Sequence, residues 1–398
     1  GGSFERLNGR QQGGLLVAIV IGIIAIVGAG TLFANNVQVV QADAVYKTAQ
    51  AYDSVGAACL TRAVSPTDPA GQSCPAGQAT QQQILNAAGN AATGQGFIPT
   101  AISLYQQAIS DQPSQDMYYL WLGKAYLDES RYYQILKQQA DTIAQNPKQP
   151  AQTRQAATQQ SAQALQNVVQ QYQSAEHVLK QAAALNPYNA DHPMNLARMF
   201  TVWALTIDPS QWANADAYYK KATGLALHNG RWWDEWAYAD IQQAARPGIA
   251  PAQQRSVLTH AIDEANHACQ VDDLLGDARV YRGDAEQQLA AITTNATQKH
   301  SLLVRARDSY VQALKIGGFE KFSSAQVLQQ LILADATLGD YKALVTPLQA
   351  PDANGAPATG TPMTLAYSST YALNGPTSPF SATLQAISNT LRQKGLVK

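Results

Sequence analysis

One helical frame recurs along most of this chain and dictates the kind of core it can build. A small residue is followed four positions on by a central residue, and three further by a second small one. The frame stands at Ala101, Tyr105 and Ala108, at Ala175, Leu179 and Ala182, at Ala215, Tyr219 and Ala222, at Ala261, Ala265 and Ala268, and at Ala306, Tyr310 and Ala313. Residues three and four apart share one helix face. Small ends let a second helix approach closely, and the central side chain fills the groove between them. A partner helix is read at 45–52, 119–126, 194–201, 233–240 and 278–285, with a weaker sixth pair at 325–338 and 341–348. No such pair buries its apolar face alone, so stacked neighbours make the core. The expected fold is all-α, a solenoid of five to six helix pairs.

In the segment YLWLGKAY, residues Tyr119, Leu122, Gly123 and Tyr126 stand at the helix-A positions of the tetratricopeptide repeat (TPR). Ala101, Tyr105, Ala108 and Pro113 stand at its helix-B positions. Residues 43–349 resemble that family, and the resemblance implies a superhelix whose concave face binds partners. Insertions at 59–95 and 127–170 break the usual ~34-residue period. The first reads as loop. The second, Gln- and Ala-rich, reads as extra helix with a turn at Asn146-Pro147 and Gln149-Pro150. Trp233 and Trp236 fall on a packing face; with Trp232 and Tyr238 they make the densest aromatic cluster, and a shelf for a glycan or peptide is the alternative.

Residues 13–34, GGLLVAIVIGIIAIVGAGTLFA, carry no charge. About 20 apolar residues in a helix cross the ~30 Å hydrocarbon core of a bilayer. The run exceeds the ~7–15 apolar residues of a signal peptide and passes without a break into a polar helical pattern. The chain therefore divides into a polar flank at 1–12, a transmembrane-type or assembly helix at 13–42, the repeats at 43–349, and a tail at 350–398. Leu15, Ile19, Gly22, Ile26, Gly28 and Gly30 are the expected contacts of that helix, small residues allowing close approach. Arg6 and Arg10 precede the run, and only Asp43 and Lys47 follow closely. The positive-inside bias puts the repeats outside the cytoplasm.

The passage from this run into ADAVYKTAQAYD, with MYYLWLGKAYL and ALNPYNADHPMNLARMFTVWA, resembles the C-terminal part of bacterial proteins in which an O-antigen-ligase-type membrane domain precedes TPR repeats. The resemblance implies an envelope protein. The ligase's catalytic loops belong to the membrane domain, so no ligase activity is implied.

Net charge is −1 and only 14% of residues are charged. No basic surplus exists to neutralise phosphates, so no nucleic-acid partner is expected. Of three cysteines, Cys59 and Cys74 bracket a Pro/Gly/Ser-rich insertion and are expected to pair outside the cytoplasm. Cys269 reads as a small buried apolar residue. His260, Asp263, Glu264 and His267 share a helix face that could ligate a metal, but ordinary solvent-facing polar side chains explain them equally well and no metal is assigned. Asp191 is read as a helix N-cap, Arg279, Arg282, Arg305 and Arg307 as a solvated face, and Asn295 as a sequon in a loop. With no GxGxxG, P-loop, HExxH, GxSxG or paired-Cys zinc motif, no catalytic residue or cofactor is assigned and a non-enzymatic role is expected.

The tail, rich in Pro, Gly, Ser and Thr, is expected to be disordered over 350–378, with an amphipathic helix at 380–392. Two functions fit. The first is a structural subunit of a bacterial cell-surface assembly, a pilus-like filament of copies of itself joined through the apolar helix. The Met-less start at Gly1 and the apolar helix before a polar body follow the pilin plan in outline. The second is a single-span adaptor, tethered in membrane lipid, that binds an envelope protein in polysaccharide assembly.

Overall fold

The computed structural model describes residues 9–75, 80–89, 95–351, 356–368, 373 and 380–397, with side chains from residue 37 onward except at 357. The chain divides into two compact units, Gly1–Pro187 and Tyr188–Lys398.

The first unit contains α1 (Gly9–Val64), α2 (Gln81–Ala88), α3 (Phe97–Asp111), α4 (Asp116–Gln145) and α5 (Ala151–Leu185). Helix α1 is one unbroken run of 56 residues, so the apolar segment and the first repeat helix share a backbone. Leu15, Ile19, Gly22, Ile26, Gly28 and Gly30 lie outside the residues whose side chains are described. Among the described residues no helix is long and apolar enough to cross a membrane. Residues 37–41 of α1 are exposed. The helix joins the body at Ala42, which clusters with Ala108 of α3 and Tyr118 of α4.

Small residues set the helix spacing. A Cβ at Gly123 of α4 would lie 2.7 Å from Leu179 Cδ2 of α5, the central residue of its frame. Leu122 is buried behind it. Tyr119 and Tyr126 are half-buried; Tyr119 donates to the Pro113 carbonyl at 3.0 Å, and Tyr126 accepts from Gln106 at 3.0 Å. Ala101, Tyr105 and Ala108 are fully buried.

Both insertions are more helical than a loop. The first is corrected: α1 runs on to Val64, the Cys59–Cys74 disulfide ties the turn behind it, and α2 follows. A capping box, Thr80 with Gln83, starts α2, and its Ile84 and Leu85 enter the core. The second insertion lengthens α4 and α5, which pack along each other across the turn at 146–150.

The second unit contains α6 (Asp191–Thr206), α7 (Trp212–Leu225), α8 (Gly230–Ala244), α9 (Pro251–Val271), α10 (Gly276–Ala291), α11 (Ala296–Ile316) and α12 (Ser324–Leu338). Helices pair as α6 with α7, α8 with α9 and α10 with α11, while α6, α8, α10 and α12 also touch in succession. The frame residues of α7, α9 and α11 are buried. A Cβ at Gly283 of α10 would lie 2.6 Å from Tyr310 Cε1 of α11, repeating the contact made by Gly123.

Two expectations fail here. The helix expected at 341–348 does not form: a 3₁₀ turn stands there at Ala343–Val345. Then β1 (Leu348–Pro351) pairs antiparallel with β2 (Pro357–Gly360). Nor is the described part of the tail disordered. With α13 (Pro362–Ala366) and α14 (Ser381–Gln393), it puts Ala350, Met363, Leu365, Leu373, Phe380, Leu384, Ile387 and Leu391 into one cluster with Val327, Leu328 and Ile332 of α12. The tail closes the open end of the last pair, as a capping repeat does.

Candidate functional site

Three surfaces of the first helices of each pair face a common groove of about 670 Å³ in the second unit. Helix α6 gives it Arg198, Thr201 and Val202, α8 gives Asp234, Glu235 and Tyr238, and α10 gives Tyr281. The spacing is three and four residues, so each set shares one helix face. The loop after α11 adds Lys321 and Phe322.

That loop is held by two residues at the start of α10. Gly276 has no Cβ because the Gly317 carbonyl oxygen would stand 2.1 Å from one. Asp277 accepts the Glu320 and Lys321 amides at 2.9 and 3.1 Å. Gly317 and Gly318 sit at φ +66° and +68°, the left-handed region that suits glycine. The loop therefore turns back over α10 and delivers Phe322 against Tyr281, ring centroids 5.1 Å apart and edge-on. Tyr238 approaches Tyr281 from α8 at 5.3 Å.

The polar groups differ in how they are satisfied. Arg198 grips Glu235 through two hydrogen bonds, Nε to Oε2 at 2.6 Å and Nη2 to Oε1 at 2.8 Å. Such a fork fixes the orientation of both groups. Asp234 is only 4% exposed, yet its Oδ1 has no hydrogen-bond partner among the described residues. Burial pushes its pKa up to about 8, helped by the negative charges of Asp277 and Glu235 and opposed by Lys321. An unpartnered buried carboxylate is costly.

A second cleft of about 560 Å³ lies beside His260. Asp216, Asp240 and His260 offer donor atoms within 4.8 Å of one another. His260 Nδ1 meets Asp240 Oδ2 at 2.5 Å and its Nε2 meets Glu264 Oε1 at 3.1 Å. Those two hydrogen bonds push the His260 pKa up to about 10. Both ring nitrogens face carboxylate oxygens, which favours the imidazolium form. Of the four helix-face residues named from the sequence, His260 and Glu264 meet here. Asp263 is exposed, and the His267 ring lies tilted against Trp233, centroids 4.0 Å apart. Trp236 is buried, donates to Asp216 Oδ1 at 3.1 Å, and stands edge-on to His260. Trp233 is half-buried beside it. Neither Trp lines the first groove; Tyr238 does.

Other sequence readings are corrected. Asp191 is the first residue of α6, and Asn189 Oδ1 accepts its amide at 3.0 Å. Arg279 is buried and donates to the Leu275 carbonyl, Arg282 donates to Ser309, Arg305 pairs with Glu286, and Arg307 pairs with Asp308 and Asp340. Arg279 is thus off any solvated face, whereas Arg305 stays exposed while it makes its pair. Asn295 caps α11 by accepting the Gln298 amide, so its segment starts a helix. Cys269 is half-buried.

The sequence reading missed Arg198, Asp234, Tyr281, Lys321 and Phe322. A signal existed in the polar and aromatic residues spaced three and four apart on the faces of α6 and α8 opposite the packing positions.

The fold is that of an all-α, helical-repeat-like protein carrying a lined groove. No family model and no curated protein matches the chain. Among solved structures it is similar to the S. pombe nuclear import adaptor Nro1, at 16% identity over 71% of this chain and 81% of that one, with a TM-score of 0.30. So low a score carries no argument about function.

Proposed function

We propose that this chain is a non-enzymatic, TPR-type binding protein whose second unit holds an extended segment of an envelope partner. One observation carries the reading: the groove on α6, α8 and α10 joins an aromatic row, a fixed ion pair and a buried, unsatisfied carboxylate. Ligand sites are concave and largely apolar, with a few polar groups that fix orientation. The row of Tyr238, Tyr281 and Phe322 supplies contact area, and the Arg198–Glu235 pair marks one wall. The Cys59–Cys74 disulfide supports an oxidising compartment for the body. The apolar segment at 13–34 would tether it.

The test is an array of random immobilised peptides probed with the detergent-solubilised full chain. A subset of peptides is expected to be retained, and retention is expected to fail for Tyr238→Glu with the fold intact by circular dichroism. Equal retention by both proteins, or none by either, would overturn the reading.

One observation favours a second reading, the filament subunit: α1 runs unbroken from Gly9 into the body, and residues 37–41 stand exposed before it joins. A helix shared among copies through residues 13–34 would have this form. Negative-stain imaging of the native material, with and without residues 13–34, decides it. Regular filaments or rings that vanish on deletion support polymerisation; particles of one size in both samples exclude it.

A further inference from the structure

We infer that Asp234, with the rings of Tyr238, Tyr281 and Phe322, forms a socket for a primary ammonium group, so that the groove chooses its segment by a lysine side chain. The inference rests on the groove reading above and names the chemistry of the occupant. Asp234 lines the groove, is 4% exposed, and leaves Oδ1 without a partner. An unpartnered buried carboxyl holds its proton, and a ligand of opposite charge offsets the cost of ionising it there. The neighbouring rings line the same groove, and aromatic faces attract cations.

The other charges around the socket do not satisfy Asp234. Arg198 is committed to Glu235 by two hydrogen bonds. Asp277 spends Oδ2 on the loop amides, and its Oδ1, also without a partner among the described residues, does not line the groove; Glu320 is paired with Arg231. Lys321 is exposed at the groove and attracts Asp234 through space. It competes with an incoming cation. A single unsatisfied oxygen suits a compact ammonium better than a planar guanidinium, which uses two acceptors at once. Val202 and Tyr238, 45% and 42% exposed, offer apolar cover for the methylene stem of a lysine.

The experiment titrates the full chain with the blocked pentapeptide Ac-Ala-Gly-Lys-Gly-Ala-NH2 and with its norleucine counterpart, followed by NMR shift changes. A charge-assisted hydrogen bond makes the lysine peptide bind about tenfold tighter. Asp234→Asn should abolish that preference without lowering Tm, since the amide is neutral and close in size to the protonated carboxyl it replaces. Lys321→Gln should tighten lysine binding by removing the competitor. Equal affinity for the two peptides, binding of neither, or a preference that survives Asp234→Asn would overturn the socket. If the random array still retains peptides through Tyr238 while these peptides show no preference, the groove stands and the socket falls.

Discussion

At the scale of single residues, glycines do the positioning. Gly123 and Gly283 mark the points where one helix seats the central side chain of the next, Leu179 and Tyr310. Gly276 does the equivalent for the loop that carries Lys321 and Phe322 into the groove. Gly276→Ala must therefore push the loop away from α10. Overpacking of this kind costs about 1–3 kcal/mol, and denaturant unfolding is expected to report a loss in that range. Peptide retention by the groove should weaken with it. Wild-type retention and stability in the variant would show that the loop is not held there. His260 makes a second residue-scale case. Its raised pKa means its pairing stabilises the fold fully below its unfolded value near 6.5, and is lost as pH rises through about 10. His260→Gln should flatten that part of the stability–pH curve; an unchanged curve would contradict the imidazolium assignment.

Whole elements divide into those the sequence announces and those it hides. The repeated frames are legible because a small residue at a close helix contact tolerates little else, and the pattern survives in any single helix. The groove is not legible in that way: Asp234, Tyr281 and Phe322 come from two helices and a loop, and only tertiary folding brings them together. The tail misleads for a related reason. Its Pro, Gly, Ser and Thr residues cannot form a core of their own, but Met363, Leu365, Phe380, Leu384, Ile387 and Leu391 need only complete the one begun by α11 and α12. Fully burying one large apolar side chain contributes roughly 1.5–3 kcal/mol. Truncation after Leu348 is thus expected to melt α12 and lower the Tm of the second unit, with binding of a hydrophobic dye. A truncated protein with the wild-type melt would reduce the tail to an ornament. In the first unit, the disulfide closes a sequence separation of 15. Cys59→Ser is expected to cost about 3 kcal/mol by the loop-entropy argument, read by denaturant unfolding of that unit.

Across the whole molecule, the buried carboxylates act in one direction. Burial raises the pKa of Asp53 to about 6 and Glu129 to about 7 in the first unit. In the second it raises Asp240 and Asp284 to about 6, Asp335 to about 7 and Asp234 to about 8. A raised carboxylate keeps its proton in the folded chain at a pH where the unfolded chain has released it. Its contribution is therefore present at low pH and falls as pH rises from about 4 through the folded value. His260 adds to the same trend. Stability should decline from pH 5 to pH 8.5, the reverse of ordinary acid denaturation, and a Tm that rises or stays level over that range would contradict the burial of these groups. The claim that unites these scales is that the chain works by holding a segment on the faces of α6, α8 and α10. Its most direct test is to map a peptide retained by the array onto the protein by NMR. Perturbations confined to Arg198, Val202, Asp234, Tyr238, Tyr281 and Phe322 are the expected result; perturbations on α7, α9 and α11, with the groove silent, would contradict it.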